Sequence, residues 1–192
     1  ETKFYGETIT TKLEFLTYLP NHHKYEDYRN SYAANKKLGG SAIANLVHEV
    51  DLINYLFGHP NKILSFDKKT NILESDTKDY FSSKLIYKNK FDINLTLSMS
   101  EINEKRSILI KFQKKKIICD LNKNKLTIYD NKTGKKFIKN FKLKRNDLFL
   151  DEMNYFLKQT TLNNKSHFLT LKDYISTQNL YFKLIGKKMV KF

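Results

Sequence analysis

The chain has 192 residues, 40% hydrophobic and 14% aromatic, with a formal net charge of +15. That length and apolar content suffice to bury one good core, which excludes a disordered segment. The longest apolar runs are too short to span a bilayer, and no signal-peptide pattern is present.

The positive balance invites a nucleic-acid reading, but the residues argue against it. Only Arg29, Arg106 and Arg145 are arginine, the residue whose bidentate fork suits phosphates and base edges. The lysines come with abundant Asn and Ile and do not gather on one helix, so a solvated lysine surface accounts for them better. Cys119 is alone, which leaves no disulfide framework and no Cys-based metal site. That fits a reducing, cytoplasmic setting. The chain begins at Glu1 without Met and is expected to be a piece of a longer protein.

In chain order, residues 7–19 alternate polar and apolar side chains and read as an edge or amphipathic strand, ended by Pro20. Residues 21–37 are polar, rich in Tyr and His, and lack a sustained period. They read as a functional loop. Tyr25, Asp27, Tyr28, Arg29 and Tyr32 offer the hydroxyls, carboxylate and guanidinium that recognise a polyol or a carboxylated sugar. The plainer reading is a surface loop whose tyrosines pack back on the domain.

Residues 41–58 read as one capped amphipathic helix. Ser41 is the expected N-cap, and Gly58 is expected to end the helix in the left-handed conformation before Pro60. Ile43, Leu46, Val47, Val50, Ile53 and Phe57 share the core-facing side. Asn45, His48, Glu49 and Asp51 fall on the other, with Asn45 and His48 neighbours at a spacing of three. For an arbitrary helix that polar side is simply solvated.

Seven short Ile/Leu/Phe/Tyr-rich segments follow, at 62–67, 82–88, 92–98, 106–113, 116–121, 125–129 and 136–141. Tight turns at Asn89-Lys90, 122–124 and 131–134 separate them. Strands so closely linked are expected to be antiparallel neighbours. Residues 147–160 and 170–188 switch to helical spacing. Thr170 and Asp173 form a capping box on the second, and Gly186 stops it. Consecutive strands flanked by helices predict an α+β domain, an open, mainly antiparallel sheet with helices on one face.

The segment GGSAIANLVHEVDLINYLFGHP, residues 39–60, resembles the signature helix of the C-terminal domain of Gfo/Idh/MocA NAD(P)-dependent oxidoreductases. YLPNHHKYEDYRNSYAANKKLGG, residues 18–40, resembles the substrate loop of members acting on sugars and aminosugars of surface polysaccharides. The TLKDY segment at 170–174 agrees weakly with the family's last helix. The resemblance implies one domain over residues 1–192 that binds a sugar or nucleotide-sugar substrate and assembles a homo-oligomer through its free sheet face. It implies His48 as the catalytic group and Asn45 where close relatives place its Asp partner. Tyr18, Tyr25, Asp27, Tyr28, Arg29 and Tyr32 would bind substrate.

The six glycines make no G-x-G-x-x-G, no leading βαβ unit is present, and the family's Glu-Lys-Pro motif is missing. The dinucleotide-binding domain is therefore expected to lie outside this chain. NAD or NADP would serve the full-length protein, with none bound to this part, which alone would be inactive. The implied chemistry is hydride transfer at a hydroxyl-bearing sugar carbon, with His48 accepting the hydroxyl proton. His22, His23, His48, His59 and His167 match no common zinc spacing, so no metal is expected. A non-catalytic sugar-binding or scaffold domain is the alternative, supported by Asn45 bringing no charge. Nucleic-acid binding is the weaker one.

Overall fold

Alternation along Thr8–Tyr18, strand β1, buries Thr11, Leu13 and Thr17 on one face and turns Lys12 and Glu14 to the other. This strand lies at the centre of the sheet, not at its edge. The computed structural model describes residues 2–88, 91–161 and 171–186. Their strands are β1, β2 (Lys62–Lys68), β3 (Tyr80–Ile86), β4 (Asp92–Ser98), β5 (Ser100–Phe112), β6 (Lys115–Asp120), β7 (Lys125–Asp130) and β8 (Lys136–Asn140). The helices are α1 (Thr2–Tyr5), α2 (Ala42–Asn45), α3 (His48–Phe57), α4 (Arg145–Thr161) and α5 (Leu171–Leu184). Short 3-10 turns at Leu19–Asn21, Tyr28–Asn30, Tyr32–Ala34 and Lys36–Leu38 carry the loop after β1.

The eight strands form one open sheet in the order β2-β3-β4-β1-β5-β6-β7-β8. The fold is α+β and mainly antiparallel, as the strand pattern predicts. The exception is β1, which runs parallel to β4 and antiparallel to β5. Strands β4 and β5 are joined by Met99 alone yet are not neighbours, contrary to the expectation from their short link. The chain crosses over the end of β1 at Met99, whose carbonyl accepts the Leu19 N–H at 2.8 Å. Slotting β1 into this opened hairpin gives both its edges backbone partners.

Helices cover only part of the sheet. Val50 and Ile53 of α3 and Leu180 and Leu184 of α5 join Leu13, Leu85, Ile93, Leu95 and Leu97 in the buried core. The helix expected at 147–160 is present as α4, but Leu148, Phe149, Leu150 and Met153 on it are each more than half exposed. Helix α5 ends before Gly186, whose φ is 70°. The expected capping residue Thr170, His167, the turn at Asn89-Lys90 and residues 187–188 lie outside the described residues.

The single helix expected over residues 41–58 is two. Ser41 caps the first, its Oγ accepting the Ala44 N–H at 3.3 Å. The helix ends at Leu46, at φ −106° and ψ 30°, and α3 restarts at His48. The Asn45 side chain turns back to donate to the Ser41 carbonyl at 2.9 Å, a local bond of the kind that competes with helix. Gly58 ends α3 at φ 68° and ψ −156°, outside the left-handed helical region and in territory open essentially to glycine.

Glu49, expected on the solvated side, is 1% exposed. Its Oε1 accepts from Arg106 Nε at 2.7 Å and its Oε2 from Nη2 at 3.4 Å. The guanidinium lies over the Phe15 ring at 4.7 Å. Burial pushes the Glu49 carboxyl up and the Arg106 charge opposes that rise. The pair ties the start of α3 to β5. Among the described residues, no helix is long and apolar enough to cross a membrane.

Candidate active site

His48 stands exposed on the first turn of α3. Asp51 and Tyr55 follow at spacings of three and seven, on the same side of the helix. With His59, Asp173 and Thr177 they line a cavity of about 1040 Å³ between α3 and the start of α5. An imidazole at an open cavity, with carboxylates and hydroxyls beside it, is chemically able to accept or donate a proton.

Asn45 lines a different cavity, of about 240 Å³, with Leu19, His22, His23, Glu26, Tyr28 and Tyr32 among its walls. The break at Leu46 places Asn45 on α2 and His48 on α3, so the two line separate cavities. The Asn45 amide nitrogen is already engaged with the Ser41 carbonyl.

The loop residues divide as well. Tyr28 and Tyr32 reach the smaller cavity, Tyr32 with 59% of its surface exposed. The Tyr28 hydroxyl accepts the Glu74 N–H at 3.0 Å. Tyr25 is 82% exposed, its hydroxyl 3.0 Å from His23 Nδ1. Tyr18 packs half-buried against the core. Asp27 and Arg29 spend their polar groups largely on each other, at 2.7 to 2.9 Å between side chains. Arg29 also reaches Glu74 at 3.0 Å. Hydrogen bonds from Arg29 hold the Asp27 carboxyl below its ordinary range.

His22 and Glu26 enter the small cavity without a sequence signal of their own. His22 Nε2 lies 2.9 Å from Thr17 Oγ1, whose proton goes to Glu104 Oε1 at 3.3 Å. Thr17 therefore accepts, and His22 Nε2 donates. Burial lowers the His22 imidazole below its ordinary value.

The larger cavity is crossed by bonds between α3 and α5. Thr177 Oγ1 donates to Asp51 Oδ1 at 2.7 Å, and Asn54 Nδ2 donates to Thr177 Oγ1 at 3.0 Å. Ser176 Oγ donates to Asn54 Oδ1 at 3.0 Å, and His59 Nε2 sits 3.0 Å from both Ser176 oxygens. Burial and the Lys183 charge lower the His59 imidazole. In the sequence, Ser176 and Thr177 carry no signal beyond lying in a segment of helical spacing. Only their partners, more than a hundred residues earlier, give them a role.

No family profile matches the sequence, and no curated protein sequence matches it. Solved structures do match. The NAD-binding oxidoreductase from Klebsiella pneumoniae aligns with a TM-score of 0.76 at 13% identity, over 98% of this chain and 60% of its own. Levoglucosan dehydrogenase in complex with NADH and levoglucosan aligns with a TM-score of 0.76 at 11% identity, over 95% and 56%. UDP-N-acetylglucosamine 3-dehydrogenase GnnA from Acidithiobacillus ferrooxidans aligns with a TM-score of 0.66 at 16% identity, over 96% and 54%.

The chain shares the fold of the matched part of these proteins, an open, mainly antiparallel sheet with helices packed on it. This chain spans 54 to 60% of the length of those proteins.

Gly40 is closed in by the chain's own Tyr32 and Ala33 carbonyls, which leaves no room there for a side chain. Among the described residues, no three His, Cys, Asp or Glu side chains converge as a metal-ligand set.

Proposed function

We propose that this chain is the substrate-binding and oligomerisation domain of an NAD(P)-dependent oxidoreductase acting on a sugar or aminosugar, free or as a nucleotide sugar. The observation that carries the reading is His48, exposed at a cavity that Asp51, Asp173 and Thr177 also line, on a fold shared with sugar dehydrogenases. A nicotinamide held by residues outside this chain supplies the redox chemistry. His48 is the base that takes the proton of the substrate hydroxyl. Tyr28, Tyr32 and Asn45 at the smaller cavity, with Tyr18, Tyr25, Asp27 and Arg29 on or beside the same loop, bind a part of the substrate away from the hydroxyl that His48 deprotonates. Assembly is homo-oligomeric through the sheet face without helices, where Leu64 and Phe66 are about half exposed. The setting is cytoplasmic, and nucleic acid is not a partner.

The test is a longer protein that includes the residues encoded upstream of Glu1. It is expected to reduce NAD or NADP with a sugar or nucleotide-sugar substrate. His48→Ala should lower kcat by about 100-fold or more, in line with general-base catalysis. The chain of residues 1–192 alone should give no turnover. Unchanged kcat in His48→Ala would overturn the assignment. One observation favours a second reading, a non-catalytic sugar-binding domain: Asn45 is uncharged, bonded to Ser41, and set apart from His48. In that case His48→Ala leaves sugar binding intact and no redox turnover is found in the longer protein.

A further inference from the structure

The bonds between α3 and α5 form one continuous chain. Its two ends fix the direction of every link. Lys183 Nζ lies 3.3 Å from His59 Nδ1, and an ammonium has no lone pair, so Nδ1 accepts. His59 Nε2 faces the Ser176 carbonyl oxygen, which has no proton, so Nε2 donates. At the other end the Asp51 carboxylate accepts the Thr177 hydroxyl proton. Thr177 Oγ1 must then accept from the Asn54 amide nitrogen, which leaves Asn54 Oδ1 to accept from Ser176. From Lys183 through His59, Ser176, Asn54 and Thr177 to Asp51, every donor points the same way. Such a run leads from a cation to an anion, and each bond polarises the next.

This chain is not a proton wire, because the neutral Asn54 amide does not relay a proton. Its effect is geometric and electrostatic. It fixes one oxygen of Asp51 against α5 and presents the carboxylate at the cavity that His48 lines. His48 and Asp51 are three apart on one side of α3, where side chains are neighbours. Asn45 is uncharged and lines the other cavity.

We propose that α5 is the positioning element of the His48 site, and that Asp51, held by Thr177 at the end of this aligned chain, is the charged partner of the imidazole. Thr177, Ser176 and His59 are positioning residues and touch no reacting atom. The proposal rests on the reading of His48 as the proton-accepting group, but its structural half is testable without any turnover.

In the chain of residues 1–192, nitrogen-15 NMR should find His59 as the neutral Nε2–H tautomer at pH 7.5. Lys183→Met should shift its titration midpoint up toward 6.5, since the Lys183 charge is one of the causes that lower it. Thr177→Val and Lys183→Met remove groups that do not touch. Distant, independent sites add, whereas members of one network do not, so the Tm loss of the double variant should differ from the sum of the single losses. An Nδ1–H tautomer, or strictly additive losses, overturns the chain.

In the longer protein, Thr177→Val should lower kcat about tenfold with little change in KM, and Thr177→Ser, which keeps the hydroxyl, should restore it. A packing role alone would show in Tm and not in this split. Equal kinetics of Val and wild type, or failure of Ser to restore, overturns the positioning role. If wild type itself oxidises no sugar, the redox reading fails, and the NMR and additivity results still decide the chain.

Discussion

The two halves of the sheet are built differently. In the half from β2 to β5, helices close one face, and the buried apolar residues include Leu13, Leu85, Ile93, Leu95 and Leu97. In the half from β6 to β8, Ile117, Ile118, Leu126 and Ile128 are only part-buried, and of the apolar residues there Cys119 alone packs against the buried core. That second half also carries most of the surplus charge. Residues 114–145 contain twelve Lys and Arg against two Asp, so the lysines are denser here than a spread along the whole chain implies. In both halves every strand inside the two edge strands β2 and β8 is paired on both sides. The difference teaches that hydrogen-bonded ladders extend this sheet, while side-chain burial on one half stabilises it.

Substitutions should expose that contrast. Leu95→Ala in the covered half is expected to destabilise by about 3 kcal/mol, the ordinary loss for a buried leucine. Chemical denaturation measures it, and a loss under about 1 kcal/mol would erase the distinction. Glu49→Gln leaves Arg106 without its charge partner, and a loss of about 2 to 3 kcal/mol is expected for breaking a pair that is buried on one side. A stability equal to wild type would show that α3 does not depend on this tie.

Between pH 7.5 and 5.5, acidification should act mainly through the covered half, where the shifted histidines lie. His22 and His59 are held below the ordinary imidazole value of 6.5. Below pH 6.5 the unfolded chain takes up protons that the folded chain resists, so stability falls as the pH drops. Glu49, raised above 4.5, acts with the opposite sign: the folded chain binds its proton first, which partly offsets the loss at lower pH. Tm at pH 7.5 should exceed Tm at pH 5.5, and replacing both histidines by Gln should flatten the difference. The smallest effect belongs to the bare half. Ile128→Ala in β7 should cost less than about 1 kcal/mol, because the site is already part-solvated. Hydrogen exchange at β7 and β8 should be faster than at β4, and equal protection would contradict the contrast.

Much of this was legible in the sequence for a physical reason. The hairpins from β5 to β8 pair residues close in the chain, so alternation and turn chemistry mark them locally. The place of β1 was not legible. Its partners are Asp92 to Ser98 and Ser100 to Phe112, and a pairing at that distance leaves no trace in a local pattern. Glu49 hid for the same reason, since its partner Arg106 lies 57 positions away. The break at Leu46 fell among residues with ordinary helical preference. His48 was found through the motif around it, whereas Ser176, Thr177 and His59 acquire meaning only when α5 is laid against α3.

The central position of β1 carries a consequence in time. Tyr18 ends β1, and its partner Ser100 begins β5. At synthesis rates of about 5 to 20 residues per second, some eighty residues separate them by roughly 4 to 16 seconds. During that interval β1 has emerged with neither edge paired, and its alternating threonines and leucines face other nascent chains. The sheet is seeded by whichever hairpin forms first and becomes one sheet only when this early strand is taken in. Of the strands in this sheet, β1 waits longest between its own synthesis and that of its second neighbour.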